Sequence, residues 1–231
     1  MAKILAIGAH PDDIEFGCAP ILIKEILKGN QVKILVLSLG EAGSSGTPEG
    51  RRQESLEAAK IIGAEIEFLE MGGDCHLEHT PENSIKMAGH IRQYKPNIIL
   101  APDTNENQHP DHSVAGKITR DGARLARYGG LAEIKKLPAH KIDSLYFYVI
   151  TQFFGSSPDV VIDVTPVYQQ WQKAMNAHAS QMKSKKYLEM ITSWSKALGS
   201  AIGTDYALGL KTNEPIRLDN ISDLNLSSRN Y

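Results

Sequence analysis

The sequence is poor in cysteine and has no long apolar stretch. Its two cysteines, Cys18 and Cys75, lie far apart in a chain of 231 residues, so a disulfide framework is not indicated and a reducing compartment is expected. No segment reaches the roughly 18 apolar residues of a membrane span. The apolar run at the N-terminus is too short for the core of a signal peptide. We therefore expect a cytoplasmic protein.

Neither sign of charge is in large excess. The 25 Lys and Arg residues against 27 Asp and Glu residues give a formal net charge of −2, and no long block of one sign occurs. This balance offers no electrostatic footprint for nucleic acid or for an anionic membrane. The chain is also long enough to bury a continuous core without a structural metal. Any metal that it binds is therefore expected to serve chemistry.

Short β-rich runs alternate along the chain with segments of helical period. Strands are expected at 4–7, 31–39, 66–69, 97–101, 144–150 and 160–164, and helices at 15–29, 51–62, 83–94 and 165–190. Alternation of this kind, with nearly continuous apolar strands, predicts a mostly parallel sheet with helices on both faces. The fold class is thus α/β and Rossmann-like, in a single domain spanning residues 1–231.

Ligands of such sheets bind outside the carboxyl ends of the strands. This rule selects three loops, 8–15, 39–51 and 102–113, and the polar residues able to do chemistry concentrate in the same loops. The glycine-rich segment 40–50 lacks the Gly-Lys-Ser/Thr ending of a phosphate loop, and no GxGxxG pattern follows the first strand. Nucleotide binding is therefore not expected.

Two short motifs combine histidine and aspartate, AHPDD at 9–13 and HPDH at 109–112. In each, two potential ligands lie three residues apart, so one turn at the start of a helix can aim both at one point. Imidazole and carboxylate together suit zinc, and a catalytic zinc ion takes three protein ligands and a water. Either motif alone also fits a surface hydrogen bond or a helix N-cap. Their joint occurrence at strand ends favours a metal site.

These strings carry a resemblance to a known family. AHPDDIE at 9–15, GEAG at 40–43 followed by RRQE at 51–54, and HPDH at 109–112 resemble the LmbE-like (PIG-L) de-N-acetylases. Within that family the chain is most similar to the bacillithiol-pathway deacetylases, which remove acetate from an N-acetylglucosaminyl conjugate. The likeness covers roughly residues 3–215.

The resemblance implies a metal-dependent amidohydrolase and a role for each motif residue. It implies Zn²⁺ ligands at His10, Asp13 and His112, a general base at Asp12, and at His109 the side chain that meets the developing oxyanion. Zinc lowers the pKa of bound water to about 7, which makes hydroxide available at neutral pH. Iron, cobalt and manganese also bind mixed His/Asp sites, so other divalent metals stay open.

Two further residues have both a catalytic and a structural interpretation. Asp111 would lie beside His109 and favour its charged form, or it would only cap a helix. Arg51 matches an arginine of the family and can grip a substrate carboxylate or sugar hydroxyl. Its alternative is an ion pair with Glu54, three residues further along the same helix.

Tyr206 matches a tyrosine in the family's Y-A-E segment, which implies a substrate-binding role near the reacting carbonyl. Here the segment reads Tyr206-Ala207-Leu208, with leucine in place of the glutamate. The other histidines have no comparable pairing and are interpreted as surface or loop residues: His76, His79, His90, His140 and His178.

The leading hypothesis is a zinc N-deacetylase acting on N-acetylglucosaminyl malate, a small-molecule sugar conjugate, with no nucleic-acid or membrane partner and with the chain forming a homo-oligomer. A second hypothesis is a zinc hydratase of small unsaturated dicarboxylates, in which Arg51 would bind carboxylate. A third is a non-catalytic carbohydrate-binding protein. Asp12 disfavours the third, since a binding protein needs no extra carboxylate beside the ligands.

Overall fold

One sheet forms the centre of the molecule in the computed structural model, which describes residues 1–105, 109–150, 157–182 and 186–223. Within these ranges the strands are β1 Lys3–Gly8, β2 Gln31–Val36, β3 Glu65–Phe68, β4 Ile98–Pro102, β5 Ser144–Tyr148, β6 Val160–Asp163 and β7 Ala207–Thr212. Their order is β3-β2-β1-β4-β5-β7-β6. All neighbouring pairs from β3 to β5 are parallel, and β7 is antiparallel to both β5 and β6. The mostly parallel sheet is confirmed.

The strand order reverses direction next to β1. The chain first moves outward from β1 to β2 and β3, and then returns to place β4 and β5 on the other side of β1. A crevice opens at such a point because the loops after the two central strands diverge. The loops that follow β1 and β4 carry the two His/Asp motifs.

Helices cover both faces of the sheet. In the described ranges they are α1 Asp13–Gly17, α2 Ala19–Leu27, α3 Pro48–Ile62, α4 Pro81–Tyr94, α5 Pro110–Ala126, α6 Tyr168–Asn176, α7 Ala179–Met182 and α8 Tyr187–Ile202. Side chains of β1 alternate between two buried clusters: Ile4 and Ala6 pack on one face, and Leu5 and Ile7 on the other. This alternation follows from the two-residue period of a strand.

The predicted helix 15–29 is wrong in one respect, because it is broken at Cys18. That residue has φ −148° and ψ 0°, which ends α1, and α2 begins with Pro20 in its first turn. In a continuous helix the ring of Pro20 would clash with the carbonyl of Phe16, whereas proline is favoured near a helix start. The break sets α1 as a separate short turn next to the site.

The C-terminal part also differs from the prediction. The expected helix 165–190 is divided into α6, α7 and the start of α8, and its residues 183–185 lie outside the described residues. Strand β7 was not predicted. Its sequence ALGLKT contains Gly209, where an added Cβ would lie 2.5 Å from the Cβ of Pro158. Glycine therefore leaves room for the ring of Pro158 against β7, at the expense of a recognisable strand pattern.

None of the helices in the described parts of the chain has the length and apolar character needed to cross a membrane.

Candidate active site

The loops after β1 and β4 bring three buried side chains together. His10 and Asp13 lie at the end of β1 and the start of α1, and His112 lies in the first turn of α5. His112 Nε2 is 3.1 Å from Asp13 Oδ1, and His10 Nδ1 is 3.6 Å from Asp13 Oδ2. One ligand atom from each of the three lies within 4.8 Å of the others. The group can hold a metal ion.

Asp13 fixes the turn in which it lies. Its Oδ2 accepts hydrogen bonds from the backbone N–H of Ala9 at 2.8 Å and of His10 at 3.0 Å, so Oδ1 faces His112. Burial alone raises the pKa of Asp13, but His112 and His10 together hold it well below its usual range. The side chain is therefore a carboxylate, the form that binds a cation.

Asp12 has the same side chain in different surroundings. Its backbone has φ 108°, a left-handed value that is rare for residues other than glycine and that clusters at functional sites. Burial first, and then the charge of Asp13, raise the pKa of Asp12 to about 7, although His178 and Arg51 oppose this. Asp12 belongs to neither group of potential metal ligands found among the described residues. Its carboxylate is placed for proton transfer near neutral pH.

His109 and Asp111 lie at the start of α5 and border the same cluster. The ring of His109 lies 4.4 Å from that of His10 between centroids, and its Nδ1 accepts from the backbone N–H of Asp111 at 3.2 Å. Asp111 Oδ2 accepts from the backbone N–H of Cys75 at 2.8 Å and lies 3.2 Å from His10 Nε2. His109, not Asp111, is thus the N-cap of α5.

The surroundings of His109 act on its pKa in opposite directions. Asp111 favours the imidazolium, but burial and the neighbouring His10 lower the pKa of His109 below its ordinary value. A neutral imidazole still carries one N–H, and because Nδ1 is an acceptor in this arrangement that hydrogen is on Nε2. His109 can therefore donate a hydrogen bond without being charged.

Comparison with known proteins assigns the chain to a family. Residues 5–123 match the family described as PIG-L: GlcNAc-PI de-N-acetylase, and both His/Asp motifs fall within that match. The chain belongs to the PIG-L family. The resemblance to LmbE-like deacetylases is confirmed, and membership supports an N-deacetylase type of hydrolase.

Individual relatives of this PIG-L protein extend over most of its length. It is 28% identical to a diacetylchitobiose deacetylase of Thermococcus kodakarensis, over 90% of this chain and 82% of the relative. It is 21% identical to a 4-oxalmesaconate hydratase of Pseudomonas putida, over 94% and 92% of the two chains. Among solved structures, the conserved protein TT1542 of Thermus thermophilus is 30% identical with a TM-score of 0.84, covering 94% of this chain and 97% of that one.

The structure of this PIG-L protein brings together the six polar residues predicted from the two motifs. It does not bring Tyr206 to them: its ring stacks on Tyr168, with centroids 3.7 Å apart and planes at 6°. Tyr206 immediately precedes β7, beyond the carboxyl end of β5. Its role in substrate binding stays a prediction.

Arg51 is buried and faces the motif loop from α3. Its Nη1 donates to the carbonyl of Gly40 and its Nη2 to that of Pro11, both at 3.0 Å, and Nη2 lies 3.7 Å from Asp12 Oδ2. The alternative ion pair with Glu54 is not found in the described residues, where both Glu54 oxygens accept from Ser180. Arg51 thus ties the loops after β1 and β2 together, and its contact with substrate stays a prediction.

Sequence reasoning missed the contribution of the loop after β3. Asp74 Oδ1 lies 3.1 Å from His10 Nε2 and 3.7 Å from His109 Nε2, and the hydrogen bond from His10 lowers the pKa of Asp74 to about 2. Asp74 forms a second group of potential metal ligands with His10, His109 and Asp111. The one available signal was that this loop also leaves the carboxyl end of a strand.

His178 lies in a loop, as one of the two interpretations expected, but it is buried and paired. It lies between α6 and α7 with 0% of its surface exposed, and its Nε2 is 3.1 Å from Glu15 Oε2. Burial lowers the pKa of His178, but Glu15 and Asp12 together raise it above its usual value. The neighbouring carboxylates of Glu15 and Asp12 thus favour the protonated form of this buried histidine.

Proposed function

We propose that this protein is a zinc-dependent N-deacetylase that hydrolyses the acetamide of an N-acetylglucosamine conjugate to acetate and a free amine. The observation that carries the proposal is the pairing of two adjacent aspartates with different surroundings. Asp13 belongs to a buried group of potential metal ligands, and Asp12 beside it does not. Amide hydrolysis needs both an electrophilic centre and a group that moves protons.

The residues present fit a zinc ion. His10, Asp13 and His112 supply two imidazole nitrogens and a carboxylate within 4.8 Å of one another, a donor set that suits a catalytic zinc. The surrounding carboxylates of Asp12, Asp74 and Asp111 add negative charge that favours a cation. When bound there, zinc supplies Lewis acidity that polarises the amide carbonyl and acidifies a water.

The chain's own residues account for the proton movements. A carboxylate oxygen of Asp12 accepts the proton of the attacking water and returns it to the nitrogen of the leaving amine. The Nε2–H of His109 donates to the oxygen that becomes negative as the carbonyl carbon turns tetrahedral. The backbone N–H of Asp111, which donates to His109 Nδ1 at 3.2 Å, orients that ring. His10, Asp13 and His112 would hold the metal.

We propose N-acetylglucosaminyl malate as the substrate, which places the enzyme in bacillithiol biosynthesis. The support is the resemblance of the three motifs to the bacillithiol-pathway deacetylases, together with a relative that deacetylates diacetylchitobiose. Arg51 and Tyr206 are proposed to contribute at the substrate side of the site. The malate group is anionic, so a positively charged arginine can bind it.

An acetate-release assay over a panel of conjugates tests the proposal. The zinc-loaded protein is offered N-acetylglucosaminyl malate, diacetylchitobiose and a neutral N-acetylglucosaminide, with the Asp12→Asn variant as the matched control. We expect release of one acetate per amine formed, fastest with the malate conjugate and strongly reduced in the variant. Absence of acetate with every conjugate would overturn the proposal.

A hydratase is the second candidate, because the relative from Pseudomonas putida covers nearly the whole of both chains. In that reaction water adds to a carbon–carbon double bond and no acetate appears. The same preparation is therefore incubated with an unsaturated dicarboxylate, and the loss of the enoate absorbance is followed. Loss of that absorbance without acetate release would favour the hydratase.

A further inference from the structure

Three side-chain atoms at the rim of the cluster form a nearly equilateral triangle. Cys75 Sγ lies 3.6 Å from Asp74 Oδ1 and 3.7 Å from His109 Nε2, and Asp74 Oδ1 lies 3.7 Å from His109 Nε2. The three atoms are a thiol sulfur, a carboxylate oxygen and an imidazole nitrogen. All three are zinc ligands.

The size of this triangle matches a tetrahedral metal ion. Zinc bonds of about 2.3 Å to sulfur and about 2.0–2.1 Å to nitrogen and oxygen, at tetrahedral angles, place ligand atoms roughly 3.3–3.6 Å apart. The observed separations of 3.6, 3.7 and 3.7 Å need only a small contraction. We propose that Asp74, Cys75 and His109 form a second zinc site at the rim, separate from the His10–Asp13–His112 group, and that its occupation inhibits the enzyme.

The neighbouring residues fit this assignment. Zinc on His109 Nε2 requires the tautomer with its proton on Nδ1. That nitrogen then exchanges the hydrogen bond that it accepts from the Asp111 backbone N–H for one that it donates to Asp111 Oδ2, 4.0 Å away before zinc binds. A carboxylate behind a ligating histidine is the usual arrangement in zinc proteins. The thiol proton of Cys75 passes to solvent as zinc binds. Because Cys75 is exposed, an ion from solution can reach the site.

The two sites differ in strength for an electrostatic reason. Asp74 Oδ1 is only 3.1 Å from His10 Nε2, so an ion at the rim lies close to one held by the inner group. Like charges repel at short range, and the second ion therefore binds more weakly than the first. We expect inhibition because a metal on His109 Nε2 removes the N–H that donates to the oxyanion. The inhibitory role therefore rests on the proposed function.

The different exposure of the two cysteines allows occupation of the rim site to be measured. The chain has two cysteines; Cys18 is buried and Cys75 is exposed, so a thiol-specific reagent reports on Cys75 in the folded protein. Cobalt(II) offers a second signature, since a thiolate ligand gives a charge-transfer band in the near ultraviolet. Neither measurement depends on enzymatic activity.

Two variants of Cys75 with side chains of nearly equal size distinguish the loss of a zinc ligand from an effect on folding. Cys75 has φ 64°, a left-handed conformation that Asn and Asp tolerate better than most residues. Cys75→Asp keeps a charged ligand, whereas Cys75→Asn does not. Cys18→Ala removes the other thiol and serves as the control for loss of a cysteine.

The experiment titrates further zinc into protein that already carries one equivalent. We expect the wild-type chain and Cys18→Ala to bind a second equivalent, and modification of Cys75 to slow at least tenfold as it binds. Cys75→Asn should bind that equivalent at least about tenfold more weakly. Cys75→Asp should retain it but lose the cobalt–thiolate band.

Equal second-site affinity in the wild type and Cys75→Asn, or no protection of the thiol, would overturn the second site. Acetate release is then measured against added zinc, with each variant normalised to its own rate at one equivalent. The zinc concentration that halves the rate should rise at least tenfold in Cys75→Asn. Binding without inhibition would overturn the inhibitory role alone, and a chain that binds both ions but releases no acetate would count against the proposed function.

Discussion

Asp12 and Asp13 are adjacent and have the same side chain, but their surroundings differ. Asp13 Oδ2 is held by the N–H groups of Ala9 and His10, and its Oδ1 faces His112. Asp12 has a left-handed backbone and a side chain that is 13% exposed beside Arg51. We therefore expect Asp12→Asn to keep its zinc while kcat falls by about 10²–10⁴, the usual contribution of general acid–base catalysis.

Asp13→Asn provides the contrast to that variant. It replaces a charged ligand by a neutral one, so metal content and activity should fall together, and excess zinc should partly restore the rate. Metal analysis and initial rates, with and without added zinc, distinguish the two variants. If added zinc restores Asp12→Asn but not Asp13→Asn, the two roles are interchanged.

The buried pair of Glu15 and His178 supports a prediction about stability. Both side chains are nearly inaccessible, at 3% and 1% exposure, so removing one partner leaves an uncompensated charge in the interior. We expect Glu15→Gln and His178→Gln each to lower the free energy of unfolding by about 3–5 kcal/mol. The double variant should lose clearly less than the two losses added together, as measured by urea unfolding.

An exposed ion pair is the control for that cycle. Lys186 and Glu189 form a pair with side chains 86% and 67% exposed, and solvent screens such pairs almost completely. Their single variants should change stability by less than about 1 kcal/mol. Additive losses for the Glu15–His178 cycle would show that the buried pair is not coupled.

The residues of the cluster were predictable from sequence only where they lie within one short motif. His10 and Asp13 lie in one turn, as do His109 and His112, so local spacing already indicated a shared target. Asp74 joins them from the loop after β3, and its neighbours in sequence give no hint of histidine partners. His178 reaches Glu15 because α6, the helix that precedes it, packs against α1, a contact that no local pattern encodes.

At the scale of elements, the position of α5 depends on a glycine. A Cβ at Gly116 would lie 2.3 Å from the carbonyl oxygen of Pro102 at the end of β4, so α5 packs directly on the strand that precedes it. Gly116→Ala should push the helix outward and lower the free energy of unfolding by about 1–3 kcal/mol. Because α5 carries His112, zinc affinity should fall as well.

Gly129 offers a matched substitution, since a Cβ there meets nothing within 4 Å. Gly129→Ala should stay within about 0.5 kcal/mol of the parent chain and bind zinc with unchanged affinity. Urea unfolding and zinc titration of both variants make the comparison. Equal zinc affinity in Gly116→Ala and the parent would mean that the helix does not set the ligand geometry.

Elements were predictable where hydrophobic period and capping agreed. Helices α3 and α4 begin at Pro48 and Pro81, each after a threonine N-cap. These starts lie three and two residues before the predicted starts at 51 and 83. The break between α1 and α2 was missed because the apolar period continues through Cys18 while the backbone does not. Strand β7 was missed because Gly209 and Lys211 interrupt its apolar run.

For the whole molecule, the metal cluster joins segments that are distant along the chain. The loop after β1, the loop after β3 and the start of α5 meet at His10, Asp74 and His112. The proposed zinc ion needs the folded arrangement and not the separated segments, so we expect it to stabilise the fold by about 2.7 kcal/mol when free zinc is one hundred times its Kd. Chelation should lower the Tm accordingly.

Calorimetry with and without a chelator measures this effect. His112→Ala, which lacks one ligand, serves as the control and should show a much smaller shift on chelation. Metal analysis should find about one zinc ion per parent chain and a markedly lower content in His112→Ala. A Tm that chelator does not change in the parent chain would contradict the predicted metal centre.

The overall architecture followed from the alternation of strands and helices, and the loops expected to carry the site followed from the rule that ligands bind at the carboxyl ends of the strands. Both depend on local patterns that recur along the chain. The antiparallel insertion of β7 between β5 and β6 depends on pairing with residues 44 to 66 positions earlier in the chain, which those patterns do not specify.

The arrangement of the cluster bears on how this sheet can change over evolutionary time. Its polar residues lie on the loops after the strands or in the first turn of the helix that follows, and β1 and β4 are buried on both faces by separate cores. Loops tolerate insertion and replacement far better than core strands do. The β1 and β4 loops can therefore be kept while the loops after β2 and β3 diversify, which gives one ancestral scaffold a route to reactions as different as deacetylation of a sugar and hydration of an alkene.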